Sequence, residues 1–150
     1  MSVRLFAFAI ASVLAGVQAR PTLAQETSDV VLVQSAVLNA IRGGSPRVWL
    51  LVHDASRASE ARAISRLTGV RVVELPATGR VRAAGADTIS VVLTVKSIAA
   101  DTAVVTVDES ASLISKTKDG PTVWWTQQRA YLMRKGGLWV VTKLETLMES

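Results

Sequence analysis

The sequence predicts an α+β protein in which N-terminal helices pack on a curved, four-stranded antiparallel meander with a cone-like shape, preceded by a signal peptide. Two observations predict this class. Apolar residues recur at helical spacing early in the chain, and apolar and polar residues alternate, with strong turn signals, towards its end. Helices followed by a run of antiparallel strands are typical of α+β domains. The predicted organisation is a signal peptide over residues 1–24 and one domain over residues 25–150.

The first 24 residues have the three zones of a secretory signal peptide. Residues 1–4 carry one positive charge, residues 5–17 are an apolar run of 13 residues interrupted only by Ser12, and residues 18–25 form a polar zone with small residues. A helix needs about 20 apolar residues to span a bilayer, so a membrane anchor is the weaker interpretation. Cleavage is expected after Ala24, with Ala19 as the alternative. We therefore expect an exported protein, periplasmic or extracellular, without a stable membrane span after cleavage.

Composition excludes several kinds of chemistry. The chain has no cysteine and one histidine, which rules out thiol catalysis and cysteine-ligated metals and makes a zinc site improbable. The net charge is +5, but the basic residues are scattered along the chain with acids among them. A nucleic-acid binder concentrates its basic residues in a patch. We therefore predict no metal, no cofactor and no nucleic-acid partner.

In the first half, Val33, Val37 and Ile41 share one face of a predicted helix over residues 29–41. Ser28 can cap the start of this helix, and Gly43 can end it. The pattern then predicts a strand over 48–52, a helix over 57–67, a strand over 70–75 and a loop over 76–86.

The second half alternates as strands do. Turn signals at residues 118–121 and 135–137 separate the later segments. Four strands are predicted, over residues 89–96, 103–115, 122–133 and 138–147. Because the predicted mature domain lacks phenylalanine, we expect Trp49, Trp124 and Trp139 to fill its core.

The C-terminal hairpin resembles the closing strands of the nuclear transport factor 2-like superfamily. The resemblance lies in residues 124–141, where a long strand ends in Lys135-Gly136-Gly137 and a Gly-x-Trp-x-Val strand follows. It implies a cone-shaped fold like that of polyketide cyclases and ketosteroid isomerases. The superfamily includes isomerases, dehydratases, cyclases and many non-catalytic binding or dimerisation domains, so the resemblance implies a fold more than a function.

Five residues of the predicted strand over 122–133 share one face, because alternate side chains of a strand point the same way. They are Trp125, Gln127, Arg129, Tyr131 and Met133. If this face lines the cone, it forms an apolar pocket with three hydrogen-bonding groups. If it faces a partner, it forms an interface patch, and the remaining alternative is a core strand with a polar rim.

His53-Asp54 is the other candidate, since a histidine beside a carboxylate can act as a general base. The alternative is a strand end followed by a helix cap. The remaining acids have no spacing that indicates acid–base chemistry, and we expect them to be solvated at turns or strand edges: Asp87, Asp101, Asp108, Glu109 and Asp119.

Two functions are consistent with these patterns. The first is an exported non-catalytic domain that binds a small apolar ligand or associates with itself or another protein. The second is a small isomerase, dehydratase or cyclase that transfers a proton in the cone, with His53 or Asp87 as base and Tyr131 as hydrogen-bond donor.

Overall fold

The computed structural model describes residues 27–75, 88–114 and 121–150. Two α-helices and six strands form in these ranges, which confirms the α+β class. They are α1 (Asp29–Arg42), β1 (Val48–His53), α2 (Ala58–Thr68), β2 (Arg71–Glu74), β3 (Thr88–Ile98), β4 (Thr102–Ile114), β5 (Pro121–Lys135) and β6 (Leu138–Glu149). The predicted signal peptide and the whole of the predicted loop over 76–86 lie outside the described residues.

Both helices have the ends that their sequences predict. The backbone N–H of Val31 donates to Ser28 Oγ at 3.4 Å, so Ser28 caps α1. A short 3₁₀ turn (Ala55–Arg57) leads into α2, and Asp54 caps that turn. Gly69 ends α2 in the left-handed conformation with φ of 72°, which a residue with a side chain adopts only at a cost.

The sheet has six strands in the order β2-β1-β3-β4-β5-β6, two more than the four that were expected to form it. The difference comes from β1 and β2, which join the same sheet as parallel strands. A parallel neighbour requires a crossover connection, and α2 provides it between β1 and β2. From β3 to β6, each strand pairs antiparallel with the next one along the chain. The described sheet is not closed, since β2 and β6 lie at its two edges.

Both described helices pack on the same face of the sheet, which we call the inner face. Their apolar residues form one core with inward side chains of β1 and β3–β6. Trp49 and Trp139 are buried in this core, and Trp124 packs against it, as predicted. The opposite surface of the sheet is called the outer face below.

A polar contact fixes the start of α1 to the β5–β6 hairpin. Asp29, in the first turn of α1, forms an ion pair with Arg134, and it also accepts a hydrogen bond from Trp139 Nε1 at 3.3 Å. The guanidinium carbon of Arg134 lies 4.7 Å from the centre of the Trp139 ring. These three residues, here called the hairpin clasp, join the beginning of the domain to its end.

Candidate functional site

The five predicted residues of β5 lie together on the outer face. Ala130 and Leu132 point into the core and are 0% and 2% exposed. The residues between and beside them therefore point away from the helices. Trp125, Gln127, Arg129, Tyr131 and Met133 consequently line no space between the helices and the sheet. Of the three roles considered from the sequence, an interface patch fits this placement best.

Hydrogen bonds organise the polar part of this face. Tyr131 Oη donates to Glu145 Oε2 at 3.0 Å, and Gln127 Nε2 donates to Asp108 Oδ1 at 2.6 Å. Lys143 Nζ lies 3.6 Å from Glu145 Oε1 and 5.4 Å from the centre of the Tyr131 ring. The face thus holds its aromatic ring in place through its charged neighbours.

The same network affects ionisation. The hydrogen bond from Tyr131, followed by the charge of Lys143, lowers the pKa of Glu145 below its usual value. Contact with the Tyr131 hydroxyl raises the pKa of Arg129. Both groups are therefore charged throughout the neutral range, and Arg129 and Glu145 are direct neighbours across β5 and β6.

Apolar side chains surround this polar group. Met133 is 44% exposed, Val140 lies opposite it on β6 and is 40% exposed, and Met148 is 53% exposed opposite Gln127. Trp125 is half-buried. Methionine and aromatic residues beside arginine are typical of protein interfaces.

His53 lies elsewhere, in a cleft at the end of β1. The cleft has a volume of about 160 Å³ and is lined by side chains of α1, β1, α2 and β3. Its polar wall consists of Gln34, His53, Asp54, Arg57, Glu60 and Thr94. His53 Nδ1 lies 2.7 Å from the backbone carbonyl of Asp54. Because a carbonyl only accepts hydrogen bonds, Nδ1 carries the proton and Nε2 of the neutral ring is an acceptor.

The carboxylate of Asp54 does not pair with the imidazole. It accepts hydrogen bonds from the backbone N–H of Ser56, at 2.9 Å, and from the Ser56 hydroxyl. The Ser56 hydroxyl is the main cause of a lowered pKa of Asp54. The cap that the sequence offered as the alternative is therefore the role that Asp54 has here.

The residues proposed for proton transfer do not meet. Tyr131 is on the outer face of β5, and it is not among the residues that line the His53 cleft. Asp87 lies outside the described residues. The described part of the chain thus does not assemble a base from His53 with Tyr131 as its donor.

Glu109 is a buried acid that the sequence analysis placed in solvent, and that expectation is wrong. It lies in the middle of β4, points to the inner face and is 5% exposed. Burial raises the pKa of its carboxyl group. Its strand neighbours Val91 and Thr126 are buried as well. The alternation of Val105, Val107 and Ala111 with outward residues was the signal that could have placed Glu109 inward.

In the described ranges, histidine and acidic side chains do not gather in groups of three or more that could hold a metal ion. Neither α1 nor α2 has the length and hydropathy of a membrane-crossing segment.

Comparisons with known proteins give no relative from which a function could be transferred. The chain matches no family model, no curated protein and no solved structure.

Proposed function

We propose that this protein is an exported, non-catalytic domain that associates with a second copy of itself through the outer face of its sheet. The observation that carries the proposal is the position of Trp125, Tyr131 and Met133 on the face turned away from both helices. A surface with this composition favours association over solvent exposure.

The charges on this face support a second copy as the partner. Arg129 and Lys143 are positive, and Asp108 and Glu145 are negative. Asp108 accepts a hydrogen bond from Gln127, and Glu145 accepts one from Tyr131 and pairs with Lys143. In a two-fold dimer, the same patch meets itself, so it must carry both charges to be complementary. A face with two charges of each sign meets that condition.

The export part of the proposal rests on residues 1–24, and kinship with the nuclear transport factor 2-like superfamily rests on residues 124–141. The antiparallel pairing of β5 with β6 through a turn at Gly136 and Gly137 is consistent with that kinship. The mass of the mature protein isolated from its host tests export, because removal of residues 1–24 leaves a chain that begins at Gln25. An uncleaved chain would contradict it.

Native mass spectrometry of the mature protein at increasing concentration tests association. We expect a dimer that dissociates on dilution, and we expect Met133→Lys to prevent it because the new charges would be buried against each other. Leu67→Lys is the matched control: Leu67 is 52% exposed, but it lies on α2, away from the outer face.

Both variants should retain the circular dichroism spectrum of the parent, since both positions are exposed. The proposal is wrong if the parent is monomeric at every concentration, or if Met133→Lys dimerises as the parent does. It is equally wrong if Leu67→Lys alone abolishes the dimer.

The separation of Tyr131 from His53 supports a non-catalytic role. It also makes association, rather than ligand binding in a closed cone, the better role for the β5 residues, because the cleft described above is lined by other side chains.

A further inference from the structure

The cleft beside His53 arises where two parallel strands separate. β1 and β3 pair only from Val48–Leu51 with Thr88–Val91. Beyond this point β1 stays with β2 as far as His53, while β3 stays with β4 as far as Ile98. The strands therefore diverge, and a wedge opens between them below the first turn of α2.

The floor of the wedge is apolar. It is formed by residues of β1, β3 and α2 together with Leu75, which follows β2: Leu51, Val52, Ile64, Leu75, Val92 and Leu93. The volume of about 160 Å³ is close to the ~150 Å³ of a cavity that holds a benzene molecule. The space therefore fits a molecule the size of one substituted ring.

The polar wall is rich in hydrogen-bond acceptors. Glu60 Oε1 accepts from Gln34 Nε2 at 2.9 Å and pairs with Arg57 at 3.2 Å, which leaves Glu60 Oε2 to accept further bonds. Gln34 is 3% exposed, and the bond to Glu60 fixes its amide so that the amide carbonyl is another acceptor. Nε2 of His53 is an acceptor in the tautomer that carries its proton on Nδ1.

The charge of the wall has a definite sign. Asp54 and Glu60 are negative and Arg57 is positive, so these three lining groups together carry a net charge of −1. Arg57 Nη2 pairs with Glu60 Oε1, the oxygen that also accepts from Gln34, so neither contact uses Glu60 Oε2. A ligand that brings its own positive donors complements this wall, whereas a carboxylate or phosphate meets like charge.

We propose that this wedge is a binding site for a small organic cation, a primary ammonium or amidinium group on a body of about one ring. The cationic head binds Glu60 and the His53 and Gln34 acceptors, and the ring lies on the apolar floor. The site shares no residue with the β5 part of the outer face, and it does not depend on dimerisation.

Three probes with the same ring and different charge test the proposal: benzylamine, benzyl alcohol and benzoate. They are titrated into ¹⁵N-labelled mature protein, and the amide resonances of residues around the wedge, such as Ala61 and Thr94, are followed. We expect benzylamine to shift them with a Kd on the order of 1 mM, as is usual for so few atoms. Benzyl alcohol should bind less tightly, and benzoate at least about tenfold less tightly than benzylamine.

Two variants with opposite expected effects test whether Glu60 binds the cation and whether Arg57 competes with it. Glu60→Gln keeps the shape and the bond from Gln34, and it should weaken benzylamine about tenfold while leaving benzyl alcohol unchanged. Arg57→Gln removes the competing cation and should tighten benzylamine a few-fold. Glu149→Gln, a carboxylate lost at the far end of β6, is the control and should change nothing.

The proposal is overturned if benzoate binds as tightly as benzylamine, if none of the probes shifts the wedge resonances, or if Arg57→Gln weakens benzylamine. If Glu60→Gln does not fold, Arg57→Gln decides alone, because Arg57 is partly exposed and its removal leaves the core intact.

Discussion

The hairpin clasp predicts that one exposed carboxylate contributes substantially to stability. In Asp29→Ala three interactions are lost together. The ion pair with Arg134 joins side chains that are 32% and 46% exposed, and such a pair contributes about 0.2–1 kcal/mol. The hydrogen bond from Trp139 Nε1 contributes about 0.5–1.5 kcal/mol, and an acid in the first turn of a helix contributes about 0.3–1 kcal/mol.

The free energy of unfolding should therefore fall by about 1–3 kcal/mol, with a decrease in Tm of about 3–10 °C for a domain of this size. Urea denaturation followed by tryptophan fluorescence measures the loss. Asp29→Asn keeps an acceptor for Trp139 and should lose roughly half as much. Glu74→Ala is the control, since Glu74 is exposed at the end of β2, and it should change stability by less than about 0.5 kcal/mol.

A double-mutant cycle with Arg134→Ala isolates the ion pair, and the coupling should decrease in high salt because the pair is partly exposed. If Asp29→Ala costs no more than Glu74→Ala, or if its cost is unchanged in the Arg134→Ala background, the clasp does not hold α1 to the hairpin and the reasoning fails.

Three further predictions concern stability. Glu109→Gln should raise the free energy of unfolding at pH 7. Burial raises the folded-state pKa of Glu109, so the parent loses stability as the pH rises from below 4.5 through that folded pKa. Urea titrations at pH 4 and pH 7 should show the gain in stability only at the higher pH. Leu132→Ala should cost about 2–5 kcal/mol, because the side chain is 2% exposed in the core, and a loss below about 1 kcal/mol would show that the site collapses or is not packed. Gly69→Ala should cost about 1 kcal/mol because φ is 72° there, and no neighbouring atom within 4 Å would clash, so a thermal melt that is unchanged or improved would contradict the left-handed end of α2.

The sequence predicted the elements well where the signals are local. The cap at Ser28, the glycine at the end of each helix and the Gly136-Gly137 turn act within a few residues, and α1, α2 and β6 begin within one or two residues of the positions predicted from them. The alternation in β5 likewise placed Trp125, Arg129 and Tyr131 on one face.

Long-range relations were not predictable in this way. Two short strands over 48–52 and 70–75 were expected, but no local pattern records that β1 pairs with β3, whose first residue is 40 positions beyond Val48. The sheet was therefore predicted without them. The cleft exists because that pairing stops at Leu51, so its residues could not be grouped from their spacing.

The direction of the β5 face was also undecided, since alternation gives two faces and does not say which one the helices cover. The available indication was that Ala130 and Leu132 are apolar and alternate with Gln127, Arg129 and Tyr131. Glu109 was misplaced for a different reason: it follows Asp108, and the two acids were interpreted together although neighbours on a strand point to opposite sides.

β1 is an internal strand of the sheet, and this has a consequence for a chain that is synthesised from its N-terminus. β1 lies between β2 and β3, so it leaves the ribosome before the strand that completes its hydrogen bonding exists. The segment up to Glu74 then offers only a short parallel pair under two helices, with one long side of β1 unpaired. β3–β6 each pair with the next strand in the chain and can assemble quickly. The first half completes its hydrogen bonding only after β3 has been synthesised. Nascent chains halted before residue 88 should therefore be the protease-sensitive ones.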